Sequence, residues 1–178
     1  MNSINQNQPE DNHEDLKNKE AVEKIKELVK KAGACFFCTD MHSGKPFQTR
    51  PMAVQEVDGD GDLWFLVAND SHVYEQTLAD KKVQLLFQGS AHSDFLVLNG
   101  TAKISADKEK IKELWNPFIK TWFTEGFDDP RIAVIQVINN GGYYWDNKHG
   151  NAIAFAKMTV GAIMGKTLDD SIEGKVKP

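Results

Sequence analysis

The sequence predicts a mainly β, α+β fold: a small antiparallel barrel with two or three helices packed on its outside. Three observations carry this expectation. Five short β-like runs follow one another and are separated by turn chemistry. Only two or three stretches have helical periodicity. Strict alternation of strand and helix is absent, and no Gly-rich dinucleotide fingerprint is found, which argues against a doubly wound parallel sheet.

Each element has its own signal. Residues 1–13 are rich in Asn and Gln and nearly free of large apolar groups, so they read as a disordered arm. Between Glu14 and Ala32, the residues Ala21, Ile25, Leu28, Val29 and Ala32 share one helical face, and Gly33 stands where a helix stops. That is an amphipathic cover helix. The β-like runs are Ala34–Thr39, Phe47–Glu56, Leu63–Ala68, Val83–Gln88 and Asp94–Ile104, of which the first three read as a meander. Ser43-Gly44-Lys45-Pro46 and Asp58-Gly59-Asp60-Gly61 supply turns. Ser71–Asp80 reads as a short helix with Ser71 at its cap.

Ile111, Leu114, Trp115, Phe118, Ile119 and Trp122 recur at three- and four-residue steps. They predict one helix with a broad aromatic face, buried on a sheet or a partner subunit. Arg131–Ile138, Tyr143–Asp146 and Asn151–Lys157 are expected as further strands, and the polar tail from Thr167 to Pro178 as frayed. The resulting organisation is an arm over 1–13, one domain over 14–166 and a tail over 167–178.

A chain of 178 residues with 40% apolar residues can bury a core without disulfide or metal staples. Its net charge is −5 and its basic residues are dispersed, so no basic stripe marks a nucleic-acid surface. Met1 to Glu20 lacks the basic start and apolar core of a secretory signal, and no apolar run approaches the roughly 20 residues that span a bilayer. A cytoplasmic, soluble protein is expected.

Several motifs invite chemistry and then fail a test. Cys35-Phe36-Phe37-Cys38 has thioredoxin-like spacing, but the run is β-type, where residues three apart point to opposite faces, so packing is favoured over redox or metal chemistry. Asp58-Gly59-Asp60-Gly61-Asp62 opens like a calcium loop, yet Leu63 and Asn69 stand where Gly and Glu are needed. A solvated hairpin turn is favoured. The five histidines show no metal-ligand pairing, and no Ser or Cys sits in a nucleophile signature. Asp128 and Asp129, before Pro130, are read as a turn rather than as acids.

Two segments remain. Gln48-Thr49-Arg50-Pro51-Met52 puts Arg and Pro inside a strand-like run, which marks an edge or a bulge. The Arg50 fork there either binds a phosphate or planar polar ring, or forms a surface salt bridge. Leu63–Ala68 runs through Asn69 and Asp70 into a helix start, where free N–H groups, Ser71 and His72 suit an anion; simple capping is the other reading, and Asp70 counts against a phosphate.

With these residues in view, the chain resembles the general stress protein branch of the pyridoxamine 5'-phosphate oxidase-like, FMN-binding split-barrel family. The resemblance runs from about Glu20 to Lys157. It rests on Arg50-Pro51-Met52, Leu63-Trp64-Phe65, Gly100-Thr101-Ala102, the Trp115-to-Pro130 block and Tyr144-Trp145-Asp146. It implies a six- or seven-stranded antiparallel split β-barrel that forms a homodimer, with FMN in clefts at the subunit interface. By the same resemblance Arg50, Pro51 and Met52 contact the flavin, Phe65 lines its strand, Ser71 and His72 lie near the phosphate, and Gln88 and Trp145 stand close to the ring from the other subunit. Relatives commonly carry Lys near the position of His72 and Pro where this chain has Thr124. The Trp block then reads as a mark of the fold, in which Trp122 or Phe123 at most walls a flavin cleft.

The leading functional expectation is an FMN-binding flavoprotein with oxidoreductase potential toward a small substrate, Arg50 being the residue most engaged with the cofactor. One alternative is a carrier without turnover that takes FMN or another phosphorylated aromatic such as pyridoxal phosphate. A thiol redox protein using Cys35 and Cys38 is a further one. Pyridoxamine phosphate oxidation itself is less expected, because Lys148-His149 only weakly echoes the Arg-His pair that seats that substrate's phosphate.

Overall fold

The computed structural model of the chain describes residues 11–41, 44, 46–164 and 170–178. In chain order the elements are β1 (Leu16–Lys17), α1 (Asn18–Ala32), β2 (Ala34–Thr39), β3 (Gln48–Ala53), β4 (Glu56–Val57), β5 (Leu63–Ala68), α2 (His72–Ala79), β6 (Lys82–Gln88), β7 (Phe95–Ser105), α3 (Lys108–Leu114), β8 (Ile132–Asn147), α4 (Asn151–Met164) and β9 (Ser171–Lys177). Two short 3₁₀ turns, Pro117–Thr121 and Gly126–Asp128, lie between α3 and β8. Residues 1–10 of the arm expected over 1–13, most of the turn around Ser43 and the start of the polar tail lie outside the described residues.

The nine strands form one sheet with the order β1-β9-β8-β7-β6-β2-β3, and β5 joins it through β8. β8 organises the fold because one of its edges is shared. β7 pairs along one side of it, while the other side holds β5 over Ile132–Val137 and β9 over Gly142–Asn147. β4 continues from β3 and pairs with β5, so the path β3-β2-β6-β7-β8-β5-β4 returns to its own start. The barrel is closed at β4 and split between β3 and β5. The expected α+β split barrel is therefore present, and the first three β-like runs pair in succession as expected: Ala34–Thr39 with Gln48–Ala53, and the end of the second run at Glu56 with Trp64 of the third.

The core follows from strand periodicity. Leu63, Phe65 and Val67 point inward from β5, and Phe37 meets Phe65 edge to face at 5.2 Å between centroids. α1 covers this core with Ala21, Ile25, Leu28 and Val29, and stops where Gly33, at φ 69°, gives its N–H to the Val29 carbonyl at 2.8 Å. A second, smaller core of Ile111, Leu114, Ile119 and Phe123 packs on the outer side of β5 and β8 against Trp64, Leu66, Ile132 and Val134.

Four expectations need correction. The Trp-rich block is not one helix: α3 ends at Leu114 because Pro117 disfavours helical backbone at Asn116, whose side chain instead caps the next turn by accepting from Phe118 N at 3.1 Å. Its aromatic face divides accordingly. Ile119 and Phe123 are buried, while Phe118 is 83% and Trp122 69% exposed. Arg131–Ile138 and Tyr143–Asp146 are one strand, since Asn140-Gly141 makes a bend at φ 96° and not a hairpin, and Gly142 presses on the Val97 carbonyl, where no Cβ would fit. Asn151–Lys157 is helical, and the tail expected to fray forms β9. Pairing with β8 and with β1 holds that strand in the sheet.

Candidate functional site

The split between β3 and β5 is where site-bearing residues converge. Glu56 pairs with Trp64 where β4 and β5 are joined. Continued along the antiparallel strands, that register would set Met52 against Ala68 and Arg50 against Asp70, beside the cap of α2. The strands part instead, and the gap is a cleft of about 290 Å³. Pro51, Met52, Ala53 and Gln55 form one wall, Leu66, Val67 and Ala68 the other, and Ile119, Trp122 and Phe123 the roof. None of these side chains is ionisable. The cleft suits an uncharged planar group and offers no general acid or base.

Its Arg50 end is different. Arg50 lies on the sheet's terminal strand, opposite Phe37, so the Pro after it costs no ladder bond on the free edge. Its Nη1 donates to Thr39 Oγ1 at 2.8 Å and its Nη2 to Gln76 Oε1 at 2.6 Å, while the Thr39 hydroxyl donates to the same Gln76 oxygen at 2.7 Å. Among the described residues no carboxylate pairs with it, which removes the surface salt bridge as its role. Burial lowers its pKa from the ordinary value, the direction of a charge short of solvation. Such a cation retains a demand for an anion.

Gln76 ties Arg50 to α2, whose start lies just beyond the other cleft wall. Ser71 donates to the Ala68 carbonyl at 2.6 Å and accepts from Tyr74 N at 3.4 Å, so it is the expected cap. His72 opens α2 with its side chain 93% exposed, facing only Glu75 at 3.5 Å.

The other expected site residues stand elsewhere. Phe65 is fully buried in the core, and strand alternation gives the cleft its neighbours Leu66 and Ala68 instead; that alternation was the available signal. Gln88 and Trp145 flank Phe95 across β6, β7 and β8, on the outward face of the sheet and away from Arg50's strand. Thr39 and Gln76, Arg50's partners, had no sequence signal, since each is one polar residue among many.

The remaining polar motifs are structural. Asp58 accepts from Asp60 N, Asp62 N and Trp64 Nε1, and Asp62 accepts from Gln136 Nε2 and Asn139 N, so the acidic turn is spent on its own fold. Asp129 is clamped by Arg131 through Nε and Nη2, which holds its carboxyl below the ordinary range. Cys35 and Cys38 are free and buried, and burial pushes the Cys35 thiol up to about 12. Among the described residues no group of His, Cys, Asp or Glu could hold a metal ion, and no helix is long and apolar enough to cross a membrane.

The model of the family described as pyridoxamine 5'-phosphate oxidase like matches residues 20–169. The chain belongs to the pyridoxamine 5'-phosphate oxidase-like family. Protein bli-3 of Neurospora crassa is 28% identical to this chain over 127 residues, covering 66% of this chain and 61% of bli-3. The chain thus spans about three fifths of that curated relative's length. Among solved structures, a candidate general stress protein 26 from Jannaschia sp. CCS1 superposes with a TM-score of 0.72 at 18% identity, over 89% of this chain and 98% of that one. The general stress FMN/FAD binding protein of Xanthomonas citri gives 0.58 at 24% identity, over 68% of this chain and 85% of that one. These likenesses establish the split-barrel fold for this family member.

Proposed function

We propose that this chain is an FMN-binding flavoprotein of the general stress type, cytoplasmic and homodimeric, with oxidoreductase activity toward a small molecule. One observation carries the reading: a cation without a carboxylate partner and an apolar cleft lie along the same two strand ends. A ligand with an anionic tail and a flat neutral ring fits that pairing. Arg50 and the Ser71 helix start would take the phosphate, and Pro51, Met52, Leu66 and Ala68 the ring. Bound there, a flavin supplies reversible uptake of one or two electrons. The protein's own residues bind and orient it and keep water from the ring.

Dimerisation is supported by the outward face of the sheet. Phe36, Leu86, Val97 and Tyr143 stand in one register row and Phe95 and Trp145 in the next, none of them fully buried. Such a row suits a second copy. That face carries Gln88 and Trp145, and in a dimer they would approach the partner's cleft.

The absorption spectrum of freshly purified protein, followed by FMN titration, tests the reading. A flavin band or saturable FMN binding is expected, and Arg50→Met should weaken FMN by tenfold or more. A colourless protein that fails to take up added FMN overturns it. A carrier without turnover is the second reading, favoured by a cleft with no acid or base. Anaerobic NADH or NADPH separates the two: the carrier predicts no flavin bleaching beyond that of free FMN.

A further inference from the structure

Trp122 is exposed for reasons that do not belong to the core beneath it. The segment carrying it is anchored on both sides: Ile119 and Phe123 are buried, and Arg131 lies over the Phe123 ring at 5.8 Å while its Nη2 reaches the Trp122 carbonyl at 3.5 Å. Arg131 is in turn fixed by Asp129. The backbone is therefore held, and Trp122, left 69% exposed, lines the β3–β5 cleft together with Met52 and Leu66. A large aromatic ring in that position loses little stability for the fold and has one unfilled side. Aromatic rings are best satisfied by another flat ring, stacked or edge-on.

Resting on the flavin reading of this cleft, we propose that Trp122 is a positioning residue that closes over the isoalloxazine ring and makes the cleft selective for the ring independently of the phosphate. Phosphate recognition belongs to Arg50 at the other end. The two ends then contribute separately, and the chain should retain measurable affinity for riboflavin, which has the ring but no phosphate. Trp122 acts here as a wall of the site, in place of the structural or dimer-forming role that its place in a buried helical face would assign.

Titration of FMN and riboflavin, read by flavin fluorescence and visible circular dichroism, tests this with Trp122→Ala, Trp122→Phe and Arg50→Met. Trp122→Ala should weaken both ligands about tenfold and reduce the induced flavin dichroism, with Phe restoring most of the loss. Arg50→Met should weaken FMN far more than riboflavin. Far-UV dichroism and sedimentation of Trp122→Ala are expected to match the wild type. If wild-type protein binds neither flavin, the reading of the site falls. If wild type binds and Trp122→Ala binds equally with unchanged dichroism, or changes only the oligomeric state, the Trp122 assignment alone falls.

Discussion

Lys31 and Arg50 are both cations held against the barrel, and their surroundings are opposite. Lys31 pairs with Asp94 at 2.5 Å and with Glu27 at 2.9 Å, and Lys24 beside it pairs with Glu27 and Asp146 at 2.9 Å each. Asp94 and Asp146 are buried, so this network fastens α1 to the ends of β7 and β8. Among the described residues Arg50 meets only a hydroxyl and an amide oxygen. A cation already matched by carboxylates is part of the scaffold; one solvated by neutral oxygens keeps an unmet charge where a ligand can supply the anion.

Acid should separate the two first and most strongly. Lys31 and two serines hold the Asp94 carboxyl well below its ordinary range despite burial, and Lys157 and His149 hold Asp170 down to about 2. Folded-state values below the unfolded ones mean the stabilisation is full above about pH 4 and is lost as pH falls through the folded values. Urea midpoints should be flat from about pH 5 to 8 and drop steeply below about pH 4. A midpoint unchanged down to pH 2.5 would remove the network from the stability account.

Lys31→Met comes next. It leaves Asp94 buried without its cation and should cost about 2 kcal/mol by denaturation, less than a fully buried pair because Lys31 is itself 41% exposed. The acid dependence of this variant should also flatten, since Asp94 then titrates nearer its ordinary value. FMN affinity should stay within threefold.

Arg50→Met inverts that pattern. Thr39 and Gln76 keep their mutual hydrogen bond, so stability should change by less than about 1 kcal/mol while FMN binding suffers. A large stability loss with intact FMN binding would make Arg50 a scaffold residue like Lys31. His72→Ala should do least, changing FMN affinity at pH 7 by less than about threefold. Its side chain is 93% exposed and faces Glu75 rather than the cleft. A tenfold loss there would give the His72 ring a direct share in holding the phosphate, beside Arg50 and the Ser71 helix start.

Local patterning was enough wherever a segment's burial alternates or repeats by itself. Ala34–Thr39, Leu63–Ala68, the face of α1 and the Ser71 cap were all legible because the deciding contacts are periodic along the chain or lie within one turn. The arginine at the edge strand and the helix start were legible as candidates for the same reason.

Tertiary structure decided what depends on distant neighbours. Ser171–Lys177 buries only Gly174 and Val176 and is a strand because β8 offers its second half to it. Asn151–Lys157, expected as a strand, belongs to the helix Asn151–Met164, and its alternating alanines are strong helix formers. Nothing near Arg50 in sequence says whether a carboxylate will face it; β3 had to lie at the edge and α2 had to bring Gln76 across before its charge could be seen as unmatched. Periodicity put Trp122 on a buried face, yet the break before Pro117 turned it out over the split. The sequence by itself determined the barrel class and the cover helix, because those follow from chain-local periodicity and capping. The candidate site, a cation at one end of an apolar cleft, depends on tertiary structure because β3 and β5 part beyond their junction and α2 brings Gln76 across to Arg50.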